Sequence, residues 1–273
     1  MKIATIVRDR AHSPNMAAND AAILEAVTTE LLARGAEVVV AEGNILDGID
    51  AVCHMSRTHS VLQELERAER NGVKIINSPR SVGNCARHKV MTALESAGIL
   101  QPAFTLIEAG TDLDRLQYPA WIKRADGCSC HKDDVCFAGN AVEAREAIER
   151  MRCRGIGKQI HCVHIKGDII KFYGVGRNFF RYCYPDPGKS KFGLERINGT
   201  PEGHAFSLEK MREAVFAAAE AIGLEIYGGD CIVDSNGHIY IIDLNDFPSF
   251  SAVRKEAAEE IAEYIINKIK KKA

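Results

Sequence analysis

The first 77 residues alternate short apolar segments with amphipathic segments, and this alternation constrains the fold more than any other feature of the sequence. KIATIV, AEVVVAE, DAVCHM and VKIIN are typical of buried strands, whereas NDAAILEAVTTELLARG and HSVLQELERAERNG are typical of helices. We expect the first helix to begin at a cap, Asn19 or Asp20, and to end at Gly35. Strands that alternate with helices predict a small parallel sheet covered by helices, ending near Asn77.

The sequence after residue 77 predicts further helices and strands. A helix is expected from about Ala86 to Ala97, followed by strand, Gly-containing loop and strand in YPAWIKRADGCSCHKDDVCFAG. NAVEAREAIERMR predicts a helix, and KQIHCVHI, GDIIKFYGVG and NFFRYCY predict strands. PDPGKSKFGLERINGTPEGHA has no period and predicts a long loop. A capped helix, a hairpin with its turn at Asp234–Gly237 and a last helix complete the chain. The last helix could pack within or between chains, so a homo-oligomer stays open.

Bulk properties narrow the class of protein. A length of 273 residues fits two or three modules around a shared cleft. A formal net charge of −2 gives no basic field for nucleic acid. No segment approaches the run of about 18 apolar residues that a membrane span needs, and the N-terminus does not resemble a signal peptide. Nine scattered cysteines, an odd number, indicate reduced thiols and a cytoplasmic protein.

The segment IIDLNDFPSF ends an apolar strand with oxygen-bearing side chains. Asp243 and Asn245 lie two residues apart on one strand and therefore point the same way, and pairing across the hairpin turn brings Asp230 beside them. Three oxygen ligands suit a hard cation such as Mg²⁺. The alternative is a solvated turn, because Asp, Asn and Pro are common turn residues.

Basic side chains supply a second set of candidates. Lys123 ends a strand just before the Gly127 loop, and Lys89 opens the following module's first helix. A lysine beside a flexible loop can bind phosphate oxygens, and backbone N–H groups of the loop add donors. The alternative for each lysine is simple surface exposure.

Two further sets lie on strands and at strand ends. Lys171, Arg177 and Arg181 lie on or near the DIIKFYGVGRNFFRY strands, where Lys171 interrupts an apolar run. The segment RDRAHSPN follows the first strand, and loops at the carboxyl ends of parallel strands commonly bind ligands. It contains four residues that could bind an anionic substrate: Arg8, Arg10, His12 and Asn15. Ordinary loop polarity is the alternative.

The segment CSCHKDDVC contains Cys128, Cys130, His131 and Cys136. Zinc is an alternative reading, but the paired C-x₂-C spacing of zinc sites is missing. No cysteine–histidine pair suited to nucleophilic catalysis is evident from spacing alone.

Taken in order, these pieces resemble the ATP-grasp superfamily over nearly the whole chain. NSPRSVGNCARHKVMTALESAGI resembles the RimK-type and glutathione-synthetase-like ligases, and IIDLNDFPSF resembles the inositol tris/tetrakisphosphate kinases about equally. The resemblance implies an α/β (α+β ATP-grasp) fold. A Rossmann-like domain would span residues 1–80, and two α+β subdomains spanning 81–157 and 158–273 would enclose an ATP cleft. The sequence departs from the ligase pattern at Asp243 and Ser249, where ligases usually carry Glu and Gly.

The resemblance also implies roles for individual residues. Asp230, Asp243 and Asn245 would bind Mg²⁺, with Mn²⁺ as a substitute, and Lys171 and Arg181 would act at the reacting phosphate. ATP would be bound by Lys89 and Lys123, by Gly127, Ser129 and His131 of the closing loop Arg124–His131, and by Gln159, Ile160, His161 and Val163 of a hinge strand. The substrate would contact Arg8, Arg10, His12, Asn15, Arg57, Asp246 and Ser249.

These roles are compatible with three functions. A ligase would join a small-molecule or peptide carboxylate to an amine through an acyl phosphate, and the front half of the sequence favours it. A kinase would phosphorylate an inositol phosphate-like polyol, with cations drawn from Arg8, Arg10, Arg57, Arg80, Lys189 and Lys191. A nucleotide-binding regulator without turnover would not need the full set of lysines and metal ligands. In each case we expect a small, anionic substrate.

Overall fold

The structure is a computed structural model that describes residues 1–41, 48–186 and 193–271; the side chains of residues 195 and 196 are also outside the description. Twelve strands and seven α-helices occur in these ranges. The strands are β1 Lys2–Ile6, β2 Glu37–Val40, β3 Ala51–His54, β4 Lys74–Ile76, β5 Phe104–Ile107, β6 Ala120–Arg124, β7 Val135–Ala138, β8 Gln159–Val163, β9 Asp168–Val175, β10 Phe179–Cys183, β11 Ile226–Val233 and β12 Ile239–Asp246. The helices are α1 Ala17–Ala33, α2 His59–Arg70, α3 Pro79–Asn84, α4 Arg87–Ser96, α5 Ala141–Cys153, α6 Leu208–Ile222 and α7 Arg254–Lys270.

The N-terminal domain is the predicted parallel sheet, with strand order β2-β1-β3-β4. Its helix α1 begins at Ala17 after an N-cap at Met16, so neither Asn19 nor Asp20 is the cap. The Asp20 side chain does not cap the helix, because its carboxylate accepts a hydrogen bond from the Ser13 hydroxyl at 2.6 Å instead. The cap prediction is therefore wrong by one helical turn, whereas the helix itself is confirmed.

Two antiparallel sheets follow the parallel one. The middle sheet has the order β5-β8-β6-β7 and packs against α5, and the last sheet has the order β10-β9-β11-β12 and packs against α6. The strand Gln159–Val163 pairs with β5 and β6 of the middle sheet. The predicted boundary at residue 157 therefore falls too early, because it separates this strand from the sheet that it completes.

The helix α6 shows how the sequence sets element boundaries. The Ser207 hydroxyl accepts a hydrogen bond from the Lys210 N–H at 3.3 Å and caps the helix, which ends at Gly223 with φ of 79°. A side-chain cap and a left-handed glycine satisfy backbone groups that the helix ends would leave unpaired. The buried residues Val215, Ala218 and Ile222 then face the last sheet.

The last helix returns to the first domain. Helix α7 buries Ile261 and Ile265 in one core with Ile23 and Val27 of α1 and with Val175 of β9. This shared core joins the N-terminal sheet to the last sheet and fixes both around the space between them. No helix in the described ranges is long and apolar enough to cross a membrane.

The β11–β12 hairpin positions the candidate site and has a close backbone contact. A Cβ atom added at Gly229 would collide with the Asp243 carbonyl oxygen and with the Phe172 ring. Pairing of β11 with β12 thus requires glycine at this position. The register also shifts between Asp230 and Cys231, which are opposite Asp243 and Ile241, so Ile242 is an extra residue on β12.

Gly229→Ala should lower the free energy of unfolding by about 1–3 kcal/mol, because the added methyl group meets backbone that cannot rotate away. Gly157→Ala is the matched control, since a Cβ there has no neighbour within 4 Å. Urea denaturation followed by circular dichroism measures both variants. Equal stabilities for the two variants would show that the hairpin tolerates a side chain at Gly229.

Candidate functional site

A cleft of about 1030 Å³ lies where the three sheets meet. One wall comes from β6, β8 and the loop after β6; the opposite wall comes from β9, β11 and β12. The loops after β1 and β3, and the segment between β12 and α7, close one end. Most of the residues that the sequence analysis predicts to bind metal, nucleotide or substrate line this cleft.

The hairpin brings the three predicted metal ligands together. Asp230 on β11 is directly opposite Asp243 on β12, and the Asn245 amide donates a hydrogen bond to Asp243 Oδ2 at 3.0 Å. Asp243 and Asn245 point the same way, as strand alternation predicts. Two carboxylates and one amide oxygen form a donor set of the kind that Mg²⁺ prefers.

Positive side chains surround these carboxylates. Lys171 on β9 is opposite Asp230, and its Nζ lies 2.9 Å from Asp230 Oδ1. Arg87 at the start of α4 places Nη2 3.6 Å from Asp243 Oδ1. The pKa of Asp243 lies below its usual value, because Arg87, Asn245 and the lysines outweigh the opposing effect of burial.

Lys123 faces the carboxylates from the opposite wall. Burial lowers the pKa of Lys123, the nearby Arg87 lowers it further, and Asp243 and Asp230 oppose both effects. The structure therefore confirms that Lys123 lies in the cleft. Its burial beside other cations leaves this region with positive charge that an anionic ligand would neutralise.

Lys89 is the clearest correction among the predicted site residues. It is exposed, its Nζ donates to the Gly83 carbonyl at 3.0 Å, and it lies outside the cleft. Arg87 occupies the expected position instead, donating to the Arg124 carbonyl at 2.7 Å. Each helical residue rotates the side chain by about 100°, so residues 87 and 89 face nearly opposite sides of α4. Only the helix's orientation, which the sequence does not give, decides between them.

The loop after β6 contributes less than predicted. Ser129 lines the cleft, and its hydroxyl lies 3.4 Å from Arg87 Nη2. Gly127 faces the Arg124 side chain instead. His131 is wrongly assigned to the nucleotide, because its exposed ring accepts a hydrogen bond from the Asp133 N–H at 3.2 Å and caps a short 3₁₀ helix.

Strand β8, predicted to form a hinge beside the adenine, presents Cys162 and Val163 to the cleft. Gln159 donates to the Ile156 carbonyl at 2.5 Å, and His161 contacts the Gln117 carbonyl at 2.9 Å, both outside the cleft. Ile160 is fully buried beside Met91. Of the four predicted residues on this strand, only Val163 lines the cleft, because the side chains of Gln159 and His161 are committed to neighbouring loops.

One end of the cleft is apolar. Ile169 on β9 is opposite Ile232 on β11, and both lie one alternation step from the Lys171–Asp230 pair. Val163 and Ile165 add to this apolar lining, and the polar residues Asn198 and Asp186 lie beside it. Polarity therefore changes along the strands, from an apolar end to a charged centre. A ligand with a flat apolar group and a charged tail would match this order.

The opposite end depends on Asp246, which is 1% exposed. Arg57 Nε donates to Asp246 Oδ1 at 2.8 Å, and Arg8 donates to the Phe247 carbonyl at 2.7 Å and to Asp246 Oδ2 at 3.5 Å. Arg8 also pairs with Asp20 at 3.2 Å. Burial raises the pKa of Asp246, but Arg57 and Arg8 lower it more, so its net pKa is below the usual value. This network ties the N-terminal domain to the end of β12.

Some of the remaining predicted residues line the cleft, and others lie outside it. The structure places His12, Asn15 and Ser249 on the cleft lining. Arg181 is exposed, pairs with Glu256 at 2.6 Å and lies outside the cleft, so it cannot act at a phosphate there. Arg10 and Arg80 are exposed outside the cleft, Arg177 pairs with Glu213 and Glu220, and Lys189 and Lys191 fall outside the described residues.

The cysteines do not form a metal site. Within the described ranges, no three His, Cys, Asp or Glu side chains are grouped as metal ligands. All nine cysteines are free thiols. Cys128 lines the cleft, and its Sγ lies 3.8 Å from Asn245 Oδ1. Cys136 lies 3.6 Å from the Asp133 carbonyl, away from Cys128's position in the cleft. The zinc alternative is therefore wrong.

Two basic residues were missed by the sequence analysis. Arg87 is one, and Arg254, the first residue of α7, is the other. Arg254 Nη2 donates to Asn19 Oδ1 at 3.1 Å, which links α7 to α1. No sequence spacing connects positions 19 and 254, so only the tertiary packing of α1 on α7 reveals this contact.

Asp246→Asn should lower the free energy of unfolding by about 3–5 kcal/mol, because the buried Arg57 loses its carboxylate and Arg8 keeps only Asp20. Asp112→Asn is the control, since its pair with Arg115 is exposed and worth about 0–1 kcal/mol. Chemical denaturation at pH 7 measures both. A decrease in the free energy of unfolding below 1 kcal/mol for Asp246→Asn would show that these ion pairs contribute little to stability.

The same ion pairs predict a pH dependence. The pKa of Asp246 is lower in the folded state, so its contribution to stability is fully present above the unfolded pKa of about 3.9. That contribution is lost as pH falls through the folded pKa. The free energy of unfolding, measured between pH 7 and pH 3, should therefore fall below about pH 4, and it should fall less in Asp246→Asn. Identical pH profiles would contradict the assignment.

Comparisons with known proteins give the fold. No protein-family model matches the chain, and no curated protein matches its sequence. D-alanine–D-alanine ligase from Bacillus anthracis has a TM-score of 0.69 at 15% identity, covering 98% of this chain and 99% of that one. The same enzyme complexed with ATP has a TM-score of 0.71 at 16% identity, covering 98% and 97%.

The ATP-grasp ligase PsnB, complexed with a minimal precursor, has a TM-score of 0.64 at 16% identity and covers 97% of this chain and 98% of that one. Together these likenesses confirm the α/β (α+β ATP-grasp) fold. The closer resemblances to RimK-type ligases and to inositol phosphate kinases stay predictions. Because one fold supports many activities, the function must be argued from the cleft itself.

Proposed function

We propose that the protein is an ATP-dependent, Mg²⁺-requiring ligase that joins a carboxylate to an amine through an acyl phosphate. The observation that carries this proposal is the grouping of Arg87, Lys123 and Lys171 around Asp230 and Asp243 in one cleft. Cations that are already in place stabilise the charge of a transferring phosphoryl group. The likeness in fold to a ligase complexed with ATP and to an ATP-grasp ligase adds support.

ATP matches the polarity of the cleft. The adenine would lie at the apolar end beside Val163, Ile165, Ile169 and Ile232. The triphosphate would then extend to the charged centre, where Arg87, Lys123 and Lys171 lie. The positive charge of these side chains, partly buried, is what a polyanion would neutralise.

The carboxylates fit a divalent cation. Asp230, Asp243 and Asn245 would hold Mg²⁺, with Mn²⁺ as a substitute, because all three offer oxygen donors: Asp230 is opposite Asp243, and Asn245 is two residues further along β12. An ion bound by these residues would neutralise negative charge on the phosphates. Asp230 and Asp243 are next to each other, and two carboxylates this close are stabilised by cations that separate or bridge them.

The chain's own residues would position the reactants. A carboxylate oxygen of the acid attacks the γ-phosphorus, the bond to the β–γ bridging oxygen breaks, and ADP leaves. The amine then attacks the acyl carbon, its proton is released, and inorganic phosphate departs. Lys171 and Lys123 would stabilise charge on the phosphoryl oxygens, and exclusion of water from the cleft would limit hydrolysis of the intermediate.

Arg87→Ala should weaken binding of ATP about 10- to 100-fold, because a charge-assisted hydrogen bond contributes about 1.5–3 kcal/mol. Lys89→Ala, two residues away on the exposed face of the same helix, should change the affinity less than twofold. Isothermal titration with a non-hydrolysable ATP analogue measures both. The reverse order of effects would restore Lys89 to the site and remove Arg87.

Asp243→Asn should lower turnover about 100-fold or more, since it removes a charged ligand from the reacting phosphate's surroundings. Asp234→Asn, in the turn of the same hairpin, is the control and should retain activity. Phosphate release from ATP at saturating Mg²⁺ gives the readout. Activity in Asp243→Asn equal to that of the control would contradict the metal assignment.

The reaction type is tested with γ-labelled ATP, Mg²⁺ and a fractionated small-molecule extract. Release of label as inorganic phosphate only when both an acid and an amine fraction are present supports the ligase. Label retained on an organic product would instead establish a kinase, the alternative that the structures compared above do not support. No extract-dependent transfer would favour a binding protein.

A further inference from the structure

The apolar end of the cleft has a wall from each antiparallel sheet. Trp121 lies two residues before Lys123 on β6, and both residues line the cleft. Ile169 and Ile232 line the opposite wall. The Trp121 indole N–H donates to His164 Nδ1 at 3.1 Å, so this ring offers carbon rather than a hydrogen-bond donor to the cleft. Aromatic and aliphatic walls of this kind favour a flat apolar group.

The amide of Asn198 lies at the same end of the cleft. Asn198 lines the cleft as the last residue of a short 3₁₀ helix, Leu194–Asn198. Its Nδ2 donates to the Ile165 carbonyl and to the Gly167 carbonyl, each at 3.2 Å, and both belong to the connection between β8 and β9. A carbonyl only accepts hydrogen bonds, so the amide nitrogen must face this connection. The Asn198 amide is therefore fixed in one orientation.

The amide oxygen of Asn198 remains available to a ligand. Within the part of the chain that the structure describes, no hydrogen bond reaches its Oδ1, and the residue is only partly buried. Both N–H groups of the same amide are already used, so a rotation that exchanged nitrogen and oxygen would lose two hydrogen bonds. Oδ1 therefore acts as an acceptor and selects a ligand that carries an N–H or O–H group.

Neighbouring contacts hold the segment around Asn198 in place. Asp168, the first residue of β9, is 2% exposed and accepts hydrogen bonds from the Glu202 N–H at 2.6 Å and from the His204 N–H at 2.8 Å. These bonds fasten the segment that follows Asn198 to the strand that carries Ile169. An acceptor that is fixed before binding loses little conformational entropy when a ligand arrives.

The order of residues along the cleft determines which part of a nucleotide Asn198 meets. Lys123 and Lys171 lie one alternation step from Trp121 and Ile169, toward the charged centre. With a triphosphate at these lysines, the six-membered ring of a purine is the part farthest from the phosphates and reaches the β8–β9 connection. Adenine carries an amino group at the outer position of that ring, whereas guanine carries a carbonyl oxygen there.

We propose that Asn198 determines the base specificity of the nucleotide site: its Oδ1 accepts a hydrogen bond from the exocyclic amino group of adenine, while the ring lies against Trp121. Guanine has an oxygen at that ring position, so two acceptors would face each other and both would lack a donor. A site that hydrogen-bonds one group of a ligand discriminates against the analogue without that group. The inference rests on the proposed function, since it takes ATP as the nucleotide.

The test compares ATP with purine riboside triphosphate, which lacks only the amino group, and with GTP. Binding to the full chain is measured by isothermal titration with Mg²⁺ and no other substrate, so that no transfer occurs. We expect the wild-type protein to bind ATP about 5- to 10-fold more tightly than purine riboside triphosphate, and at least about 10-fold more tightly than GTP. In Asn198→Ala the first ratio should fall below about twofold. Thr200→Ala, an exposed neighbour outside the cleft, should keep the wild-type ratios.

Comparing two ligands within one variant separates base recognition from structural damage. If Asn198→Ala only displaced the β8–β9 connection, both nucleotides would bind more weakly by the same factor, and the unchanged ratio would overturn the inference. Equal wild-type affinities for ATP and purine riboside triphosphate would also overturn it. Asp186 lies beside the same apolar lining, so loss of the preference in Asp186→Ala with its retention in Asn198→Ala would assign the role to Asp186 instead. In these cases ATP still binds and the ligase proposal stands, whereas absence of binding by all three nucleotides would reject the proposed function together with the inference.

Discussion

Two carboxylates, Asp230 and Asp243, are held opposite each other on neighbouring strands, and the rest of the cleft depends on how their repulsion is compensated. Lys171 neutralises Asp230 from β9, and Arg87 approaches Asp243 from α4. Lys123 reaches the same region from the opposite sheet. β9, α4 and β6, which are distant in sequence, each contribute a cation that offsets the repulsion between the two carboxylates. The cations and carboxylates of the cleft pair with one another. Under the proposed function, phosphates and a divalent cation would replace these contacts.

Strand β12 presents side chains to two different parts of the protein, because consecutive residues of a strand alternate faces. Asn245 faces the cleft beside Asp243, whereas Asp246, the next residue, points to the buried arginines of the first domain. The N-terminal domain is therefore fixed to the strand that carries the candidate metal ligands. The backbones of β11 and β12 approach closely at Gly229, beside the Asp243 carbonyl. The buried contacts of Asp246 with Arg8 and Arg57 are thus separated by only a few residues on β12 from the candidate metal ligand Asp243.

The sequence predicts the elements well because their signals are local. Alternating apolar and polar residues, helix caps and the turn at Asp234–Gly237 specify β12, α6 and the hairpin without reference to other parts of the chain. The grouping of Asp230, Asp243 and Asn245 follows from the same local rules. Lys123 lies at a strand end beside a loop, as predicted, and its role in binding ATP stays a prediction.

The remaining residues depend on tertiary packing. Arg87 and Lys89 are equally basic, and only the orientation of α4 selects Arg87. Gln159 and His161 turn away from the cleft because neighbouring loops provide partners for them. The pairing of β8 with β5 and β6, and the contact of Arg254 with Asn19, join segments far apart in sequence. Such contacts have no local signature, so a single sequence does not reveal them.

Under the proposed function, nucleotide and metal bind between the two antiparallel sheets, at Asp230 and Asp243. Crystals grown with Mn²⁺ and a non-hydrolysable ATP analogue test it most directly, because anomalous scattering identifies the position of manganese. The account predicts a manganese peak in contact with both aspartates, with the triphosphate beside Lys123 and Arg87. An ordered nucleotide elsewhere on the protein, with no manganese at these aspartates, would contradict it.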